Sequence, residues 1–175
     1  QWAIRKVIEI PAEAANPDDL PPVLKGFKAV PPLVTDIDLS MDDRFLYVSC
    51  WGTGDLRQYD VSDPFDPKLT GTVRIGGIVA RATHPKAANA PLNGGPQMVE
   101  ISRDGRRVYF TNSLYGAVDP QFYPDGIAGW MVKLRSSRAL SRAWLGDGAD
   151  SPRPCSASRL SPSPESTAGT LSICP

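Results

Sequence analysis

Asp36, Asp38, Ser40, Asp42 and Asp43 crowd oxygen-bearing side chains into one short run, and alternate oxygen ligands are how a calcium loop opens. Such a loop also needs glycine at its sixth position and a bidentate acid at its twelfth, where this chain has Met41 and Tyr47. With Ile37 and Leu39 interleaved, the run is better explained as a strand that buries one face. Gly52-Thr53-Gly54 has the look of a phosphate cradle, but Arg57 stands where the third glycine would be and strand-like residues follow. The helix N-terminus that holds the anion is therefore missing, and the run is expected to be a turn. His84 is the single histidine, and one imidazole makes no metal site. Cys50, Cys155 and Cys174 are odd in number and lack C-x-x-C spacing, which argues against a disulfide framework or a zinc knuckle. Cys50, between Ser49 and Trp51, is expected to be a small buried apolar residue. Arg103, Arg106 and Arg107 form a solvated basic face. Tyr115, Phe122 and Tyr123 can line a small-molecule pocket or hold a loop down, and packing is the favoured role. No Ser/His/Asp set is present.

These residues sit in a chain of 175 residues, enough for one domain, with a formal net charge of zero. Balanced charge leaves no electrostatic footprint for nucleic acid or an anionic membrane. Apolar runs end at Gly, Pro or charge within a few residues, far short of the ~20 that span a bilayer. The opening QWAIRKVIEIP has neither an initiator Met nor a signal-peptide pattern, so the chain is expected to be an internal piece of a longer, soluble protein, cytoplasmic or periplasmic.

The elements that carry the acids repeat. Laying DIDLSMDDRFLYVSCW over MVEISRDGRRVYFTNS brings Ser40 onto Ser102, Asp42 onto Asp104, Arg44 onto Arg106 and Tyr47 onto Tyr109 at a constant offset. Each copy predicts a hairpin, turning at Asp42-Asp43 or at Asp104-Gly105 through a tight turn with positive φ at both central residues. A third strand follows from about Asp55 to Val61, closed by Ser-Asp-Pro, and a fourth ends at Gly76-Gly77. Four short antiparallel strands in about 40 residues match a β-propeller blade, which needs neighbours on both sides. The fold class is thus all-β, a partial β-propeller over 1–134 with blades at about 34–77 and 95–134. Residues 78–93 form an insertion expected to loop off the blade. WAIRKVIEIP has strand character as the outer strand of a preceding blade, with Pro11 to Pro32 as an exit that is not expected to be helical over its full length. On the innermost strand, Asp36 or Asp38 are the candidates to line a central channel.

From Arg135 to 175 the text turns to Ser, Arg, Pro, Ala and Gly, too poor in apolar surface to offset an ordering cost of roughly 1–2 kcal/mol per residue. Disorder is expected there, and the composition is that of an out-of-frame reading of GC-rich DNA.

The runs DLRQYDVSDP, GGPQM and SLYGAVDPQFYPD, within Trp2 to Leu134, resemble the selenium-binding protein family, whose members include methanethiol oxidases. The resemblance implies a seven-bladed propeller of which about two to three blades are present. It also implies a small thiol substrate, with methanethiol oxidised to formaldehyde, hydrogen sulfide and hydrogen peroxide. Copper is implied for the bacterial type, and selenium as a further ligand. The family's presumed copper ligands are histidines spread over the full chain, and His84 matches none of them; the selenium-associated cysteine lies in an N-terminal portion with no counterpart here. No catalytic or metal residue is carried over, and the chain alone is expected to be inactive. The competing expectation is a non-enzymatic propeller that binds selenium or protein partners.

Overall fold

The computed structural model describes residues 3–79, 83–84, 87–136, 157–158 and 171–174. Its strands are β1 (Glu13–Ala14), β2 (Ala29–Val30), β3 (Val34–Leu39), β4 (Phe45–Cys50), β5 (Asp55–Asp60), β6 (Lys68–Arg74), β7 (Thr83–His84), β8 (Ala87–Pro91), β9 (Val99–Ile101), β10 (Arg107–Thr111), β11 (Met131–Arg135), β12 (Ala157–Ser158) and β13 (Leu171–Cys174), with one short α-helix, α1 (Asp119–Phe122), and two single-turn 3-10 helices at Pro17–Asp19 and Lys25–Phe27. The chain is all-β, as its alternation predicts. β3 to β6 form an antiparallel meander in chain order, and β9, β10 and β11 begin a second sheet that β13 and β12 extend.

The two hairpins are superimposable in their bonding. Ser40 Oγ donates to Asp42 Oδ1 at 2.7 Å and accepts from Phe45 N at 2.9 Å; Ser102 Oγ donates to Asp104 Oδ1 at 2.5 Å and accepts from Arg107 N at 3.0 Å. The turn differs from the expected two-residue type. Asp43 N reaches Ser40 O and Gly105 N reaches Ser102 O, and only Asp43 and Gly105 take positive φ, 54° and 66°. The serine closes a longer loop, a type I turn ending in one left-handed residue, so a single residue per turn needs the unusual backbone.

The sheets pack face to face. Phe45, Tyr47 and Leu56 of the first meet Val99, Val108 and Phe110 of the second in one buried cluster, each fully buried apolar side chain contributing ~1.5–3 kcal/mol. β3 and β9, the first strand of each sheet, lie side by side. Strand ends are set as expected: Asp60 and Asp63 side chains accept from the amides of Ser62 and Phe65, and Gly76 and Gly77 turn the chain at φ of 73° and 86°.

The connections depart from expectation in three places. The described part of the 78–93 insertion carries a hairpin, β7 paired with β8, and its ends enter the core through Ile78 and Leu92. Residues 3–10 form no strand and belong to no ladder. In the tail, Leu171–Cys174 pairs with Met131–Leu134 and Ala157–Ser158 pairs outside it. The free edge of β11 offers these two strands backbone partners that local composition does not reveal; the rest of 137–175, where disorder was expected, lies outside the described residues.

Candidate functional site

Asp36 and Asp38 project from β3 on the side of Ser49 and Tyr47, their cross-strand neighbours on β4. That side faces the second sheet, and a register shift between Val34 and Asp36 sets it. Asp36 is spent on backbone: Oδ1 accepts from Ile37 N at 3.0 Å and Oδ2 from Val99 N, on β9, at 2.8 Å. Thr35 beside it donates its hydroxyl to Gln97 O at 3.1 Å. Asp38 Oδ1 accepts from Leu39 N at 2.9 Å. Both aspartates are half-buried, and Asp36, with Thr35, stitches the first strands of the two sheets.

At the end of this seam lies a cleft of about 50 Å³ between the two serine turns, lined by Ser40, Asp42, Tyr47, Arg103, Asp104 and Ser136 among others. Its floor is the Tyr47 hydroxyl, which accepts from Gln58 Nε2 at 2.6 Å and shares a hydrogen bond with Ser136 Oγ at 2.6 Å. Burial pushes the Tyr47 hydroxyl above its ordinary pKa, against the hydrogen bonds from Ser136 and Gln58, so it stays protonated. The volume suits one or two waters, well below a typical ligand pocket.

The aromatic candidates separate. Tyr115 is exposed, whereas Tyr123 is fully buried, donates its hydroxyl to Trp51 O at 2.9 Å and packs edge-on against the Trp51 ring. Phe122 makes a second edge contact with the same indole. They hold the second insertion down. Asp119 anchors it too, accepting from Ser113 Oγ at 2.6 Å and from the amides of Leu114 and Tyr115. Gly52-Thr53-Gly54 is a turn, with Gly54 at φ 78°. Arg103, Arg106 and Arg107 are exposed, and Arg107 pairs with Asp104 at 2.7 Å.

An ionic chain was not anticipated from the pattern. Asp55 is fully buried at the start of β5 and is held by the Thr53 hydroxyl and the Arg57 guanidinium. Arg74 lies 4.0 Å from Asp55 and clasps Glu13 of β1, with one bond of 2.7 Å. Burial works against the Arg57 charge, yet its bond to Asp55 keeps its pKa above the ordinary value. The available signal was the acid and base two residues apart on one strand, which share a face.

Cys50 is fully buried, and burial, reinforced by the nearby Asp55 charge, pushes its thiol up to about 12. It is neither a nucleophile nor a ready metal ligand at neutral pH. Among the described residues no group of three or more His, Cys, Asp or Glu converges to hold a metal ion. Soft thiolate and imidazole donors are what copper selects, and the described residues do not fit such a centre. No helix among them is long and apolar enough to cross a membrane.

The family model of the 56 kDa selenium-binding protein matches residues 1–147. The chain belongs to that family. Against other selenium-binding family proteins it is 44% identical over 151 residues to a human protein named methanethiol oxidase, covering 77% of this chain and 30% of that protein. It is 42% identical over 149 residues to mouse selenium-binding protein 2, again over 77% of this chain and 30% of the relative. In three dimensions it is similar to the crystal structure of a hypothetical selenium-binding protein from Sulfolobus tokodaii, with a TM-score of 0.73 and 62% identity over 79% of this chain and 30% of that one. This selenium-binding-family chain thus spans 30% of the length of the relatives it matches.

Proposed function

We propose that the chain is a two-blade portion of a methanethiol-oxidising propeller, seven-bladed when whole, and that it contributes scaffold and inter-blade seam while the reacting groups come from elsewhere in the protein. The 44% identity to human methanethiol oxidase carries the reading. The substrate is a small thiol, and the products are formaldehyde, hydrogen sulfide and hydrogen peroxide. Copper, where the whole protein uses it, needs donors beyond the described ones, since no three of these converge. Taken alone, the chain is inactive. Asp36 and Asp38 remain the residues nearest a channel role, with Asp38 the freer of the two for lack of a cross-sheet bond.

The test is to express the longest open frame that contains this chain and to assay bound copper and peroxide release from methanethiol, with the isolated chain in parallel. Copper-dependent turnover by the long protein, absent from the isolated chain, is the expected result. A folded long protein with neither metal nor turnover overturns it and favours the second reading, a propeller that binds selenium without oxidising thiols, for which mouse selenium-binding protein 2 is the comparably similar relative. The tail from Arg135 is proposed to be an out-of-frame continuation. Translating the alternative frames downstream of Leu134 checks this, and finding no family-like strand in them refutes it.

A further inference from the structure

All three methionines of the chain, Met41, Met98 and Met131, lie outside its core. They are 67%, 61% and 43% exposed, although methionine ranks among the side chains most often fully buried. Among the described residues the buried clusters are assembled from aliphatic and aromatic side chains, and the one sulfur they enclose is that of Cys50. Sulfur is thus divided by type, with thioethers outside and this thiol within.

The elements explain this placement. Met41 follows Ser40 in the first serine turn and lines the cleft beside it; the repeat sets Arg103 at the matching position of the second turn. Met98 immediately precedes β9, and its counterpart by the same offset is Asp36. Both methionines therefore occupy positions that the other copy gives to a charged residue, which must face water or a polar neighbour. Met131 opens β11 opposite Thr111, whose amide donates to the Met98 carbonyl at 3.1 Å. Met98 and Met131 flank Thr111 on the face opposite to that of Val99, Phe110 and Val132, which alternate with them into the core.

The two kinds of sulfur differ in what they need in order to react. A thioether meets hydrogen peroxide as it stands: sulfur donates an electron pair to one peroxide oxygen, the O–O bond breaks, and the departing hydroxide takes the proton left on the transferred oxygen, giving water. Sulfur is oxidised by two electrons to the sulfoxide, and peroxide is reduced by two. A thiol reacts as the thiolate. Cys50 is fully buried and held at about 12, so at neutral pH roughly one chain in 100,000 carries it ionised.

We propose that Met41, Met98 and Met131 are peroxide modification sites of the chain, converted to the sulfoxide while the fold and Cys50 are spared. The new S=O dipole forms where water already reaches it, whereas a sulfoxide inside a core disrupts packing. Hydrogen peroxide is a product of the reaction proposed above, and the three sites give the chain the capacity to consume three equivalents of it. The inference itself rests on exposure and not on that reading.

The test exposes the chain to hydrogen peroxide at neutral pH, follows each methionine and Cys50 by peptide mapping in a mass spectrometer, and reads the fold from amide hydrogen exchange in β4 and β10. Each methionine is expected to gain one oxygen at a rate within about tenfold of free methionine, with Cys50 unmodified when all three are converted. Amide protection in β4 and β10 is expected to stay within about threefold of the untreated chain. A variant carrying Met41→Leu, Met98→Leu and Met131→Leu, which conserves volume, is expected to consume three fewer equivalents of peroxide per chain. A methionine more than about tenfold slower than the free amino acid, Cys50 oxidised in step with the methionines, or protection lost on sulfoxidation overturns the proposal. So does a leucine variant that consumes as much peroxide as the chain itself. The oxidation map needs no variant, so it decides the matter even where the triple variant does not fold. Methanethiol plays no part in the assay, and loss of the enzymatic reading leaves its result standing.

Discussion

The Asp36 carboxylate accepts the Val99 amide across 2.8 Å, tying the first strand of one sheet to the first strand of the next. A group that looks like a ligand by its type is thereby a joint between repeats. Strand side chains point at neighbouring sheets, so only a strand's open edge and its ends face a central channel.

Asp36→Ala is expected to cost about 1–3 kcal/mol, since it leaves the Val99 amide without its charged acceptor. Asp38→Ala, which removes only a bond within its own strand, is expected to cost less than about 0.5 kcal/mol. Urea denaturation of both variants checks the ordering, and equal losses would contradict the joint.

The Cys50 thiol is held at about 12, above its ordinary value, by burial first and by the Asp55 charge second. A group whose pKa is raised by folding stabilises the fold fully below its unfolded pKa, near 8.5, and loses that contribution as pH climbs toward the folded value. Stability should therefore fall between about pH 9 and pH 12, more steeply than in Cys50→Ala, as read from urea midpoints across that range. Tyr47 titrates in the same direction, so the comparison is repeated in a Tyr47→Phe background. A thiol reagent at pH 8 should label Cys50 only as fast as the protein opens; prompt labelling would refute its burial.

Two glycines should respond differently to alanine. A Cβ at Gly95 would come within 2.2 Å of the Trp51 carbonyl oxygen, whereas one at Gly105 meets nothing within 4 Å and only strains a φ of 66°. Gly105→Ala is expected to cost about 1 kcal/mol, and Gly95→Ala about 3 kcal/mol or more, or to prevent folding. Thermal unfolding of the pair tests this, and a Gly95→Ala variant as stable as Gly105→Ala would show that the contact relaxes.

Glu13 is held below its ordinary pKa chiefly by its hydrogen bond from Arg74, against the cost of burial. A depressed carboxyl stabilises the fold above its unfolded pKa, near 4.3, and ceases to do so as pH falls through the folded value. Both partners are partly exposed, so Glu13→Gln should cost under about 1 kcal/mol at pH 7 and nothing near pH 2. A cost that persists unchanged at low pH would mean that packing of β1, not charge, is what the substitution removes.

Much of the fold is legible in the residues themselves. The alternation of strands β3 to β6, the stops at Ser62-Asp63-Pro64 and Gly76-Gly77, and the Ser40 and Ser102 turns are local, because hydrophobic period and turn chemistry act over a few residues. The burial of Cys50 and the packing role of Tyr123 follow from residue type. What lay beyond the sequence depends on partners distant along the chain. Asp36 meets Val99 only because β3 and β9 abut, and Asp55 is buried only because Arg57 and Arg74 close over it. The strand at Leu171–Cys174 exists only where the edge of β11 can pair with it. The turn type is itself local: the backbone and hydroxyl bonds between Ser40 and Phe45 close the hairpin over five residues, so one left-handed residue is enough. A carboxylate has the same local signature whether it will bind a ligand or a neighbouring strand, and the neighbour is chosen by tertiary packing.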